Sequence, residues 1–160
     1  MCIRDRTGEA WLHTALVEGC IVSLKPGVKP SDIEKAGFTR GEELGKAVQS
    51  RLGRGLGGVT WFTLVGSQGA VHIGRAAARP VCVVVQSKGS SEGTWQVLMD
   101  QLEKAKTPKL SSSTGKKIRR DVYSLAAGAR DLWITVARTN DFAVGEQGAS
   151  AVIMVELKKR

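Results

Sequence analysis

The chain carries no long apolar run. Its longest uninterrupted apolar stretches are the five-residue segments Val81–Val85 and Ala151–Val155, against the ~18 residues that a membrane-spanning helix needs, so no such helix is expected. An apolar core is equally missing behind Met1-Cys2-Ile3-Arg4-Asp5-Arg6, which argues against a secretory leader there and points to the cytoplasm. Residues 1–6 read instead as a foreign or disordered N-terminal scar ahead of one domain, 7–160. Cysteine is sparse: Cys2, Cys20 and Cys82 are too few and too widely spaced for a disulfide framework or a zinc site. They are expected as free, mostly buried thiols. The two histidines, His13 and His72, lie far apart and join no metal-ligand cluster. Neither a cofactor nor a metal is expected. A phosphate-binding P-loop is also missing, because Gly115-Lys116-Lys117 has Leu110 where the first glycine is required and no hydroxyl after the lysine.

Aromatic residues make up only 5% of the chain, so surfaces on which bases could stack must be few. Trp61 is the candidate exposed stacker, whereas Trp95 and Trp133 fall within apolar patterns that read as core. Acidic residues are the most informative scarcity. None occurs from Leu44 through Ser91, a segment that holds Lys46, Arg51, Arg54, Arg75, Arg79 and Lys88. None occurs from Lys104 through Arg120 either, where Lys104, Lys106, Lys109, Lys116, Lys117, Arg119 and Arg120 stand.

What is present is a basic globular composition. The 160 residues carry a net charge of +9 with 42% hydrophobic content, too apolar for a disordered basic tail and of a size for one domain. Segregated positive charge fits a polyanion, since each phosphate neutralised releases condensed counterions. The candidate contacts are Arg51, Arg54, Arg75, Arg79, Lys88, Lys116, Lys117, Arg119 and Arg120. In Arg51-Leu52-Gly53-Arg54-Gly55 the glycines let backbone approach a phosphate while guanidinium groups supply paired hydrogen bonds.

The pattern of elements predicts an α+β fold, a mixed sheet of about five to seven strands with two to three helices packed on it. A strand or strand pair is expected over Trp11–Leu24. Ser31-Asp32-Ile33-Glu34 and Thr39-Arg40-Gly41-Glu42 match the helix capping box, so a short helix ending at Gly37 and a longer one ending at Gly53 should follow. Strands are expected at Val59–Val65, Ala70–Arg75 and Pro80–Gln86, with Gly66-Ser67-Gln68-Gly69 as a hairpin turn. Val81–Val85 is apolar on both faces, the mark of a central strand covered on two sides. Trp95, Leu98, Met99 and Leu102 repeat at helical spacing to cover it. Residues 107–117, rich in serine, read as a mobile loop, followed by a helix over Lys117–Ala127 and strands at Leu132–Ala137 and Ala149–Leu157. No internal sequence repeat is visible.

Val83-Val84-Val85-Gln86-Ser87-Lys88, a helix carrying Gln96 and Gln101, and the strand Leu132–Val136 together resemble the core of restriction-endonuclease-like nucleases. That resemblance covers Pro80 to Val136 and puts Gln86 and Lys88 at the metal-binding strand end; independently of it, the order of the Val81–Gln86 strand, the Trp95 helix and the Leu132 strand suggests one right-handed crossover with parallel strands. The strand before it, Ala70–Arg75, lacks the carboxylate that the family uses to hold a divalent cation. The expected function is therefore a non-enzymatic module binding nucleic acid, RNA or DNA, through its basic segments. The alternatives are a self-assembling viral or mobile-element subunit and a degenerate nuclease domain. A homo-oligomer is compatible with either binding reading.

Overall fold

The computed structural model describes residues 14–41, 58–66, 69–86, 99–114, 118–127, 129–142 and 149–159. Its centre is an eight-stranded sheet in the order β1-β2-β3-β4-β8-β7-β6-β5, every pairing antiparallel. The strands are β1 (Thr39–Arg40), β2 (Val59–Gly66), β3 (Gly69–Ala76), β4 (Val81–Gln86), β5 (Lys109–Thr114), β6 (Ile118–Ala127), β7 (Arg130–Phe142) and β8 (Ala149–Lys159). The described helices are short: α1, of π-helical pitch, at Thr14–Ile21, α2 at Pro30–Lys35, and residues 99–104.

This overturns the expected mixed sheet of five to seven strands with two to three helices packed on it. Three local readings account for the difference. The segment Trp11–Leu24, expected extended, is helical from Thr14, because its buried residues Ala15 and Leu16, Gly19 and Cys20, Ser23 and Leu24 recur at intervals of four, a helical and not an alternating period. Ile118–Ala127, expected as a helix, is β6. Its ten residues each register with β7, and that continuous ladder outweighs local helix propensity. Lys109–Thr114, expected within a loop, is an edge strand with all six residues exposed. Asp121 of β6 anchors it. This carboxylate is closed to solvent, accepts a hydrogen bond from Ser112 and lies 4.0 Å from Lys109 Nζ, both residues of β5.

The expected crossover does not form as one strand-helix-strand unit: β4 and β7 run parallel, but β8 lies between them antiparallel to both, and β5 and β6 intervene along the chain. β4 pairs with β3 and β8, both antiparallel, and β7 lies beyond β8. The sheet is two four-stranded meanders, β1–β4 and β5–β8, joined back to front at the β4–β8 pair. In strand order and direction alone, β1–β4 and β5–β8 correspond by a half-turn normal to the sheet between β4 and β8, although the sequence does not repeat.

Other expectations stand. β4 occupies the middle of the sheet, and Val81, Cys82, Val83, Val84 and Val85 are all buried, each valine side chain contributing roughly 1.5–3 kcal/mol on transfer from water. Gly66 pairs with Gly69 across the expected hairpin. α2 ends at Gly37, which takes the left-handed φ of 102° that a side chain would oppose. Its N-terminus differs in detail: Lys29 is the capping residue, Pro30 opens the helix, and the Lys29 backbone N–H donates to Asp32 Oδ2 at 2.9 Å. The second capping-box match instead falls on β1, where Thr39 and Arg40 register with Thr63 and Phe62 of β2. The helix expected beyond it, to Gly53, lies outside the described residues.

One face of the sheet carries the main core. Phe62, Val71, Ile73, Cys82, Val84, Tyr123, Leu132, Ile134, Val136, Ile153 and Val155 pack with Leu16, Cys20 and Leu24 from the α1 segment, Ile33 and Phe38 from the α2 segment, and Met99 and Leu102. Met99 and Leu102 thus cover the sheet as their spacing requires, while Trp95 and Leu98 lie outside the described residues. Cys20 and Cys82, expected as free thiols, are joined by a disulfide that ties α1 to β4. Their wide separation hid the bond, because α1 crosses the sheet only in three dimensions.

Candidate nucleic-acid interface

Strand alternation divides the residues of β6, β7 and β8 cleanly. Leu132, Ile134 and Val136 point to the core, which puts Asp131, Trp133 and Thr135 on the opposite face. The two halves of that opposite face differ. On β2–β4 it is closed: Trp61, His72, Val81, Val83 and Val85 are all buried. On β5–β8 it is open, with Val122, Ser124, Thr135, Met154 and Glu156 half-buried and Ser111, Ser113 and Arg120 exposed. At its centre, on β7, Trp133 is 40% exposed.

The registers place its neighbours. Trp133 lies between Glu156 of β8 and Ser124 of β6. The next row is Met154, Thr135, Val122 and Ser111. Arg120 follows on β6, opposite Ala137, four residues along from the Trp133 position and so about 14 Å away at ~3.4 Å per residue.

Charges frame the indole. Lys158 Nζ sits 5.3 Å from the Trp133 ring centroid, within cation–π range, and 3.0 Å from Glu156 Oε2. Arg79, from the β3–β4 turn, reaches the other oxygen of Glu156 at 2.5 Å. Burial alone would push the Glu156 carboxyl up, but hydrogen bonds and charge from Lys158 and Arg79 outweigh it and hold the group below the ordinary carboxylate range. One carboxylate therefore orients two cations beside an exposed aromatic ring and leaves the trio with a net positive charge. A ring on which a base can stack, next to cations that can reach phosphate, is the combination that single-stranded nucleic acid requires.

The expected site residues distribute unevenly over this picture. Arg79 and Arg120 both belong to the open face or its border. Arg75 does not. It lies on the core side of β3, where Nε donates to Ser23 O at 3.0 Å and one terminal nitrogen donates to the carbonyls of Ala76 and Arg79 at 2.8 and 2.9 Å. Burial lowers its pKa, and its work is to tie the end of α1 to the β3–β4 turn. Arg119 registers with Arg138 and Thr114 on β6. Arg51, Arg54, Lys88, Lys116 and Lys117 lie outside the described residues.

Trp61, the expected stacker, is 4% exposed and packs over Gly74, where a Cβ would meet its ring at 2.8 Å. Trp133 and Lys158 were missed. The signal was the period-two alternation of Asp131, Trp133 and Thr135 against Leu132, Ile134 and Val136, which separates the tryptophan from the core set.

Comparison with protein-family models, curated proteins and solved structures returned no match. Among the described residues no helix is long and apolar enough to cross a membrane, and no cluster of His, Cys, Asp or Glu could hold a metal ion.

Proposed function

We propose that the protein binds single-stranded nucleic acid across the open face of β5–β8, with Trp133 stacking on a base and Lys158, Arg79 and Arg120 reaching backbone phosphates. The observation that carries this reading is the exposure of Trp133 at the centre of that face with Lys158 held over its ring. The net charge of +9 supports it, as does the acid-free run Lys104–Arg120, whose last residue borders the face. No step of this function requires catalysis.

Stacking on an aromatic side chain contributes about 1–3 kcal/mol per base. Titration of a labelled single-stranded oligonucleotide should therefore show Trp133→Ala weakening binding by roughly five- to 150-fold, with Trp133→Phe retaining most of the affinity. Replacing Lys158 and Arg120 by Gln should reduce the dependence on salt by about 0.7 for each phosphate no longer neutralised, with little change in base preference. Wild-type affinity in Trp133→Ala would refute the reading.

The exposed β5 edge favours a second reading, assembly with further copies through strand addition, because an edge strand presents unpaired backbone groups to another chain. Elution volume against monomer standards separates the two: a discrete monomer supports the binding module, and a large particle supports assembly.

A further inference from the structure

On the core side of the sheet, opposite Trp133, a cavity of about 530 Å³ opens between the end of α1 and strands β7 and β8. Its wall is apolar: Ile21 and Leu24 from the helical side, Leu132 from β7 and Leu157 from β8. Leu24 and Leu132 belong to the main core, with Ile21 and Leu157 packed against it, so the floor of the cavity is the hydrophobic interior itself. Pro26, Ala129 and two cations, Lys25 and Arg130, complete the lining. Both cations are exposed, and no carboxylate lines the cavity among the described residues.

We infer that this cavity binds an amphipathic anion, a carboxylate on a hydrocarbon chain, with the chain against Leu24, Leu132 and Leu157 and the head group between Lys25 and Arg130. The volume lies in the ~300–1,000 Å³ range of small-molecule sites, which are mostly apolar with a few converging polar groups. A neutral apolar ligand would leave both cations without a function. A free inorganic anion would leave the apolar wall wet. A guanidinium suits a carboxylate, which accepts two parallel hydrogen bonds from it, and the ammonium on the same lining adds a second positive charge. The site lies on the other side of the sheet from the nucleic-acid surface and does not depend on it.

Isothermal titration with dodecanoate below its micellar concentration tests the assignment, with dodecanol and dodecyl phosphate as comparison ligands. Dodecanoate should bind one per chain and more tightly than dodecanol. The Lys25→Gln/Arg130→Gln pair, two surface changes, should weaken dodecanoate at least about tenfold, as the removal of charge-assisted hydrogen bonds requires, and leave dodecanol within about twofold, since the apolar wall is unchanged. Leu157→Trp, which fills the cavity, should weaken both. Three results would overturn the inference: no saturable dodecanoate binding, whether or not a second copy proves to cover the opening; equal dodecanoate affinity in the parent and the charge-removed pair; or a clear preference for dodecyl phosphate, which would reassign the head group.

Discussion

Removing the Cys20–Cys82 disulfide perturbs the fold at the contact between α1 and the central strand. The bond closes a loop with a sequence separation of 62. Loop-closure entropy gives about 3 kcal/mol for a 15-residue loop and about 4.7 for 100 residues, so this bond should contribute roughly 4 kcal/mol by constraining the unfolded chain. At ~2–4 °C per kcal/mol for a domain of this size, reduction should lower Tm by about 8–16 °C. The Cys20→Ala/Cys82→Ala protein should show a similar loss and no further response to reductant. Both sulfurs are closed to solvent, so reduction of the native protein should be slow and should accelerate in mild denaturant. Urea unfolding followed by circular dichroism, with and without dithiothreitol, measures the difference. Oxidised and reduced proteins that unfold within about 1 kcal/mol of each other would refute the entropic reasoning, which assigns the full ~4 kcal/mol to the cross-link.

Two further perturbations probe the packing on either side of the sheet. Gly19→Ala would drive a Cβ into Ile73, and to 2.9 Å from Phe38 Cζ; because Ile73 and Phe38 are both buried, the change should cost about 1–3 kcal/mol in urea unfolding, and a neutral result would place α1 farther from β3. His72, buried on the closed half of the other face with Nδ1 2.9 Å from Thr63 Oγ1, has its pKa pushed down by burial from 6.5 to about 4. The unfolded chain therefore binds more protons than the folded one between those values. Stability should be full above pH ~6.5 and fall by at most about 3 kcal/mol as pH drops towards 4, and His72→Asn should remove that component of the pH profile.

The legibility of the sequence followed the range of the interactions involved. β2, β3, β4 and the Gly66–Gly69 hairpin were readable because alternation, β-branched runs and turn residues are local signals. Lys109–Thr114 and Ile118–Ala127 were not, because what makes them strands is pairing with distant partners and the anchor from Asp121 to Ser112 and Lys109. The sheet order depends on β4 meeting β8 across 65 or more positions, and no periodicity records that. The correspondence of β1–β4 and β5–β8 in strand order and direction was invisible for the same reason: topology repeats without residues repeating. At the candidate site, the segregation of basic residues was visible, but their direction was not. Arg75 turned inward to bind carbonyl groups, while Arg79 turned outward to Glu156. Reading Leu132–Val136 as one apolar run concealed Trp133, although parity along the strand already set it apart from the core.

Photocrosslinking tests the central claim most directly. A short single-stranded oligonucleotide carrying halogenated pyrimidines, irradiated in complex with the protein and followed by peptide mapping, reports which aromatic side chain touches a base. The account predicts attachment at Trp133, abolished in Trp133→Ala and suppressed by competing unlabelled oligonucleotide. Crosslinks confined to the β1–β4 half, or undiminished in Trp133→Ala, would contradict it.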